Sequence, residues 1–240
     1  MRCHSKRRGT NGTIINMYIL PTVIIQFNNE IEPRAIPFFR GAVIASLADK
    51  SILFHNHDDD KLRYSYPLIQ YKLIHKKAAV MGIGKGVEEA SRLLAGGDFN
   101  YQIGNEAVEM LMESVNAHDN EIAVSAKADR HYRLHNWLPL NSKNYIRYQD
   151  AEGMLERIQM LERILVGNIL SFLKGVDIFL MNQLVVHITD ITGQRDITYK
   201  NVKLKVFDVA FKTNISLPPY IGIGKNASIG CGVLTKITNP

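Results

Sequence analysis

Between Ala151 and Lys174 the residues Met154, Ile158, Leu161, Leu165, Ile169 and Phe172 recur at spacings of three and four. That period draws one apolar stripe along a helix, and such a stripe has to be buried against another surface. Gly175 stands where the helix is expected to stop. The flanking segments supply strands: one around Tyr132–Leu138 before it, then Leu184–Ile188, Val202–Phe211 and Gly232–Ile237 after it. The second half therefore reads β-α-β-β-β. Where a second helix would fall, Lys212–Tyr220 is short and carries Pro218 and Pro219.

The first half shows a related order. Tyr18–Phe27 is β-branched and apolar, and Pro37 suits the first turn of a helix presenting Phe38, Phe39, Ala42, Val43 and Leu47. Ile52–His57 reads as a second strand. Tyr66–Ile74 reads as a third, continuing through Ala78–Met81 after a turn at His75–Lys77; a helix over Val87–Ala95 and a final strand at Phe99–Ile103 follow. The order βαββαβ is that of a split βαβ unit. The expected architecture is α+β, with tandem ferredoxin-like (RRM-like) βαββαβ units of which the second lacks a clear second helix. Residues 1–16 read as a flexible leader or an extension upstream of Met17, 17–125 as the N-terminal unit and 126–240 as the C-terminal unit.

At 46% hydrophobic and 22% charged residues the composition is that of a folding chain, not a disordered one. The net charge of +6 overstates the folded part, because Arg2, Lys6, Arg7 and Arg8 sit in the leader and residues 9–240 carry 25 basic against 23 acidic groups. Distribution matters more. Residues 61–77 hold Lys61, Arg63, Lys72, Lys76 and Lys77 with no acid, and residues 200–240 hold six lysines against Asp208. Residues 98–121 are the reverse, with Asp98, Glu106, Glu109, Glu113, Asp119 and Glu121 and no Lys or Arg. That pattern suits one face for an anionic ligand and one solvated back. Cys3 and Cys231 give no disulfide framework, so a reducing cytoplasm is expected. Arg2–Arg8 followed by Ile14–Phe27 imitates a signal peptide, yet Asn16 and Pro21 interrupt it and no cleavage site follows. No apolar run is long enough for a membrane span.

The sharpest local feature is Gly222-Ile-Gly224-Lys225-Asn-Ala-Ser-Ile-Gly230-Cys-Gly232. Two Gly-apolar-Gly pairs bracket a five-residue loop in which successive N–H groups can line a concave anion site, with Lys225 adding a charge. A phosphate backbone suits such a loop; bulged strands around a hairpin would give the same spacing.

This Gly-x-Gly-x5-Gly-x-Gly loop before a last strand, on tandem ferredoxin-like units, resembles the RAMP superfamily of CRISPR-associated proteins, and within it the repeat-processing endoribonucleases. Pro37-Phe-Phe-Arg-Gly-Ala-Val, Leu53-Phe-His-Asn-His, Tyr64-Ser-Tyr-Pro-Leu-Ile-Gln-Tyr-Lys72, Gly167-Asn-Ile-Leu-Ser-Phe and Leu217-Pro-Pro-Tyr-Ile-Gly-Ile-Gly are similar to one bacterial branch. The likeness runs from about Tyr18 to the C-terminus. It implies cleavage of CRISPR repeat RNA without metal or cofactor, through a histidine of the N-terminal unit assisted by tyrosine, lysine or serine. The implied partners are the repeat RNA, further CRISPR effector subunits and a second copy of the chain. The missing second helix departs from the family pattern. A non-catalytic RNA-binding subunit of the superfamily is the alternative.

His55-x-His57 is the candidate acid/base pair, since a period of two puts both imidazoles on one strand face. One can take the proton of an RNA 2′-hydroxyl while the other, Lys61, Lys72 or Tyr64, supports the leaving oxygen. RNA brings its own nucleophile, so no metal is required; Asp58-Asp59-Asp60 beside the histidines reads more simply as a solvated turn. Lys61, Arg63, Gly222, Gly224, Lys225, Gly230 and Gly232 are the expected RNA contacts, and Tyr64, Tyr66 and Tyr71 could stack bases. Gly82-Ile-Gly84-Lys85-Gly86 before a helix imitates a nucleotide-binding turn, and a nucleotide-binding enzyme is a further alternative. Its spacing fits neither phosphate-binding fingerprint, and Glu88 and Glu89 would repel a phosphate.

Overall fold

The computed structural model describes residues 5–8, 14–46, 57–58, 61–62, 66–95, 99–199 and 202–238. The N-terminal sheet is built on β2 (Ile14–Glu30), flanked by β9 (Met112–Ala123) and β6 (Lys77–Ile83), with β5 (Ile69–Ile74) outside β6. All pairs are antiparallel. Helix α1 (Ile36–Ser46) links β2 to the β5–β6 hairpin, and α2 (Gly86–Ala95) follows β6. With β2, β5, β6 and β9 as first to fourth strands, the sheet order is fourth, first, third, second.

The C-terminal sheet repeats this. Its strands β10 (Arg130–Trp137), β11 (Val186–Tyr199), β12 (Val202–Thr213) and β13 (Val233–Lys236) lie in the order β11-β12-β10-β13, again second, third, first, fourth. Helices α3 (Ser142–Asp150) and α4 (Met154–Gly175) connect β10 to β11. Residues 214–232 replace the second helix, with a single 3₁₀ turn at Ala227–Ile229. The tandem architecture and the missing helix are thus as expected.

The long apolar run of β2 has a plain cause: its sheet is buried on both faces, as continuous rather than alternating hydrophobicity requires. Val23, Ile25 and Phe27 pack with Phe39 and Val43 of α1 and Ala90 and Leu93 of α2. Leu20 and Ile24, with Met81 and Ile83 of β6, enter a second core with Leu161, Leu165, Ile169 and Phe172 of α4 and with Phe207, Val209 and Phe211 of β12. The stripe on α4 is therefore filled from two sides, and the two units share that core.

Four expectations are corrected. The second and third strands are the β5–β6 hairpin, turned at His75 (φ 51°) and Lys76 (φ 67°). Of Ile52–His57 only His57 is described, in a two-residue pair of β3 (His57–Asp58) with β4 (Lys61–Leu62). Phe99–Ile103 does not close the sheet; β7 (Asn100–Ile103) pairs with β8 (Glu106–Glu109), and β9, drawn from the acidic stretch, is the fourth strand. As a largely exposed strand carrying charge, β9 shows little apolar alternation. Part of the expected leader is strand, because β1 (Ser5–Arg8) pairs with Ile14–Met17. Gly175 belongs to α4, and a Cβ there would lie 2.4 Å from Tyr66 Cβ, so close packing explains the glycine. No helix among the described residues is long and apolar enough to cross a membrane.

Candidate functional site

His55, Arg63 and Tyr64 lie outside the described residues, and for His57 and Lys61 only the backbone pairing above is described. What is described is where this segment rejoins the fold. Tyr66 is 9% exposed, its ring packs against Phe172 at 5.1 Å between centroids, and its hydroxyl donates to Gly222 O at 2.8 Å. The histidine-bearing segment is therefore tethered at its C-terminal end to the Gly-rich loop.

That tether belongs to a larger polar cluster. Gln70 and Lys72 share one face of β5 at the period-two spacing of a strand, and the hydroxyl of Tyr66, three residues before the strand, meets that face. Gln70 Nε2 donates to the Tyr66 hydroxyl at 2.8 Å, and Gln70 Oε1 accepts from Gly222 N at 2.8 Å and from Lys72 Nζ at 2.7 Å. Lys72 Nζ also donates to Tyr220 O and lies 3.7 Å from Met81 Sδ. The N-terminal unit thereby holds the backbone at Tyr220 and Gly222 in place. Lys72 is fully buried, and desolvation of its ammonium lowers its pKa to about 7. Burial raises the Tyr66 phenol well above its ordinary range, against the hydrogen bond from Gln70.

The expectation that Lys72 faces the reacting phosphate is thus corrected: its ammonium points into the interior and grips the loop from behind. Tyr66 and Tyr71 are likewise buried and unavailable for stacking on bases. Gln70 was not singled out in the sequence. Its signal was the spacing of Gln70 and Lys72, two polar side chains on one face of a strand flanked by Ile69, Leu73 and Ile74.

The loop itself is closed by the protein. Ile223 N donates to Gly232 O and Leu234 N to Ile221 O, at 2.8 and 2.9 Å. Gly224, Gly230 and Gly232 have φ of +93°, +82° and +63°. A Cβ would meet Ala227 O at 2.8 Å from Gly222, Trp137 Nε1 at 2.9 Å from Gly224, Ile36 Cδ1 at 2.8 Å from Gly230 and Ile223 O at 1.9 Å from Gly232. The space left by the missing side chains is occupied by this chain's own atoms. The view that those vacancies admit a ligand is therefore corrected, while Lys225 remains exposed at the rim. Beneath the loop, Trp137 Nε1 donates to Asn168 Oδ1 at 3.0 Å, so Asn168 of the Gly167-Asn-Ile-Leu-Ser-Phe segment supports it.

The Gly82–Gly86 turn is also self-filled. Cβ atoms at Gly82 and Gly86 would come within 2.5 Å of Gly86 O and 2.4 Å of Leu68 O, and Lys85 pairs with Asp177 at 3.0 Å. It is a tight turn, with no room for a phosphate at those glycines.

Comparison with known proteins bears on both units. Residues 18–121 match the model of the Cas6b N-terminal domain, and residues 124–237 that of the Cas6b C-terminal domain. A solved structure described as a crystal structure of Cas6b is 28% identical, covers 92% of this chain and 100% of its own, and superposes with a TM-score of 0.81. Another, described as the CRISPR RNA processing endoribonuclease Cas6b, is 26% identical over 92% of this chain and 100% of its own, with a TM-score of 0.67. An uncharacterized protein of Methanocaldococcus jannaschii is 33% identical over 119 residues, 49% of this chain and 78% of that protein. With both domain models matched in order and nearly end to end, the chain belongs to the Cas6b family.

Proposed function

We propose that this chain cleaves CRISPR precursor RNA within its repeat, without a metal, by attack of a 2′-hydroxyl on the adjacent phosphodiester. The observation that carries the reading is the Cas6b match across both units, together with similarity to a structure named as a CRISPR RNA processing endoribonuclease. The mechanism rests on the residues His55 and His57. One imidazole takes the 2′-hydroxyl proton as the 2′-oxygen bonds to phosphorus. The bond to the 5′-oxygen then breaks and that oxygen takes a proton from the other imidazole or from Tyr64. The products are a 2′,3′-cyclic phosphate and a 5′-hydroxyl. Lys61 and Arg63 neutralise the phosphate, and Lys225 meets the RNA at the rim of the Gly-rich loop. Lys72 acts from the interior as a positioning residue. Further effector subunits and a second copy of the chain are proposed partners.

The test is incubation with the repeat RNA in EDTA, alongside a substrate bearing a 2′-deoxy sugar on the 5′ side of the cut. Cleavage of the first and survival of the second are expected. Dependence on added divalent metal, with the deoxy substrate still cut, overturns the mechanism. Binding without cleavage makes the chain a non-catalytic RNA-binding member.

A further inference from the structure

The inner face of the C-terminal sheet is covered by α4; its outer face is apolar and buried at one end, where Leu204 and Val206 of β12 pack with Leu138, Ile197 and Cys231, and polar at the other, around Arg133 of β10 and Lys212 of β12, which are exposed and half-buried. Register assigns the residues on it. On β10, Tyr132 and Leu134 point inward and are buried, so His131, Arg133 and His135 point outward. His131 lies opposite Lys212 on β12, and His187 of β11 lies opposite the same lysine. Arg133 pairs with Ala210 on one side and Thr235 of β13 on the other, and His135 Nε2 is 3.0 Å from Thr235 Oγ1.

The charge on this face is mostly positive. Its acids are Asp190 and Asp208, and Asp208 is occupied: one oxygen accepts from Asn136 N at 2.7 Å, the other from Arg195 at 2.8 Å. Arg133 and Lys212 remain as fixed cations, with imidazoles that donate N–H groups even when neutral. His187 leans to the sheet edge, 3.9 Å from Glu162. The centre is low, because Ala210 and Gly193 lie between the long side chains. Among the described residues none of the exposed large hydrophobics is on this face, and its apolar side chains Leu204 and Val206 are buried. A protein partner would find no apolar anchor here, whereas a phosphate chain would find donors and cations across neighbouring strands.

We propose that this face, centred on Arg133, Lys212 and His131, is a second RNA-backbone surface, binding phosphates of an unpaired strand away from the nucleotides that are cut. The identity of the ligand as RNA rests on the proposed function; the location rests on the sheet.

The test compares two full-length variants of equal charge change by filter binding over a salt series, with repeat RNA and an unrelated single-stranded RNA. The first is Arg133→Glu with Lys212→Glu. The second is Lys143→Glu with Lys174→Glu, exposed residues on α3 and α4. The first variant should bind roughly tenfold or more weakly and lose about one to two units of salt slope, since each lost contact to a single strand removes about 0.7. The second should stay close to the parent. Equal losses in both variants would reduce the effect to net charge and overturn the proposal, and so would parent-like binding by the first. A parent chain that binds the unrelated RNA but leaves the repeat uncut removes the proposed function alone. A parent that binds neither RNA removes both.

Discussion

The two sheets have the same strand order and opposite surroundings. The N-terminal sheet has α1 and α2 on one face and the shared core on the other, whereas the C-terminal sheet has α4 on one face and, on the other, a small apolar cluster at one end and exposed or half-buried polar residues at the other. The contrast decides what a lysine on a strand can do. Lys72 on β5 is fully buried and holds backbone and amide oxygens, while Lys212 on β12 stands half-buried on an open face opposite two histidines. The same side chain is a structural fastener in one unit and, in the proposed RNA surface, a ligand contact in the other. In the proposed division of labour, the N-terminal unit carries the chemistry and the C-terminal unit extends the grip on RNA.

The largest effect should come from the chemistry. Replacing His55 and His57 by alanine should lower single-turnover cleavage by at least ~10²-fold, the lower end expected of general acid–base catalysis. RNA affinity should change far less. A double variant that cuts at near the parent rate would transfer the chemistry elsewhere and dissolve the contrast between units.

Glycines sharpen the comparison next. Gly232→Val in the loop would set a Cβ against Ile223 O at a backbone angle of +63°, so the thermal midpoint should fall by several degrees, as overpacking of about 1–3 kcal/mol implies. Retention of the parent midpoint would mean that the loop is open after all.

Lys72 allows a pH test. Its folded pKa of about 7 is below the unfolded 10.5, so between those values the unfolded chain holds more protons and stability should rise with pH. That contribution is lost as pH falls through 10 towards 7. Denaturation midpoints measured across this window should rise for the parent and flatten for Lys72→Met, whereas Lys212→Met should leave the parental slope intact. Identical slopes in parent and Lys72→Met would place the ammonium in water.

The smallest effect concerns Gly41 in α1, where an added Cβ meets nothing within 4 Å. Gly41→Ala should stabilise by about 0.5–1 kcal/mol, raising the midpoint by a few degrees at most. A fall would reveal a neighbour at that position.

Much of this fold is legible in the sequence, and the gaps have physical causes. The stripe on α4 and the run of β2 were legible because each element buries most of what its period predicts; Met154 at the start of α4, which stays exposed, is the exception. The turn at His75–Lys77 is legible, but not that the segments on either side of it are separate second and third strands, since His75 and Lys76 adopt positive φ where a hairpin usually shows glycine or asparagine. Helix α3 went unseen: only Tyr148 of its nine residues is fully buried, and its start depends on the Asn141 side chain accepting from Asn144 N at 2.8 Å. Lys72 was misread because a basic residue in a strand suggests a solvated face, and nothing local reveals that both faces are covered. The Gly-rich loop was correctly picked out, yet spacing alone could not tell whether a ligand or the protein fills its hollows.

The shared core also sets a timetable for synthesis. Leu20, Ile24, Met81 and Ile83 of the N-terminal sheet stay uncovered until α4 exists to receive them, and α4 ends about fifty residues after β9. At translation rates of about 5–20 residues per second, that leaves a sheet with one bare apolar face for roughly three to ten seconds on every ribosome. During that interval the nascent chain is exposed to chaperones and to its neighbours, and the acidic residues of β9 supply repulsion along one edge of the waiting sheet.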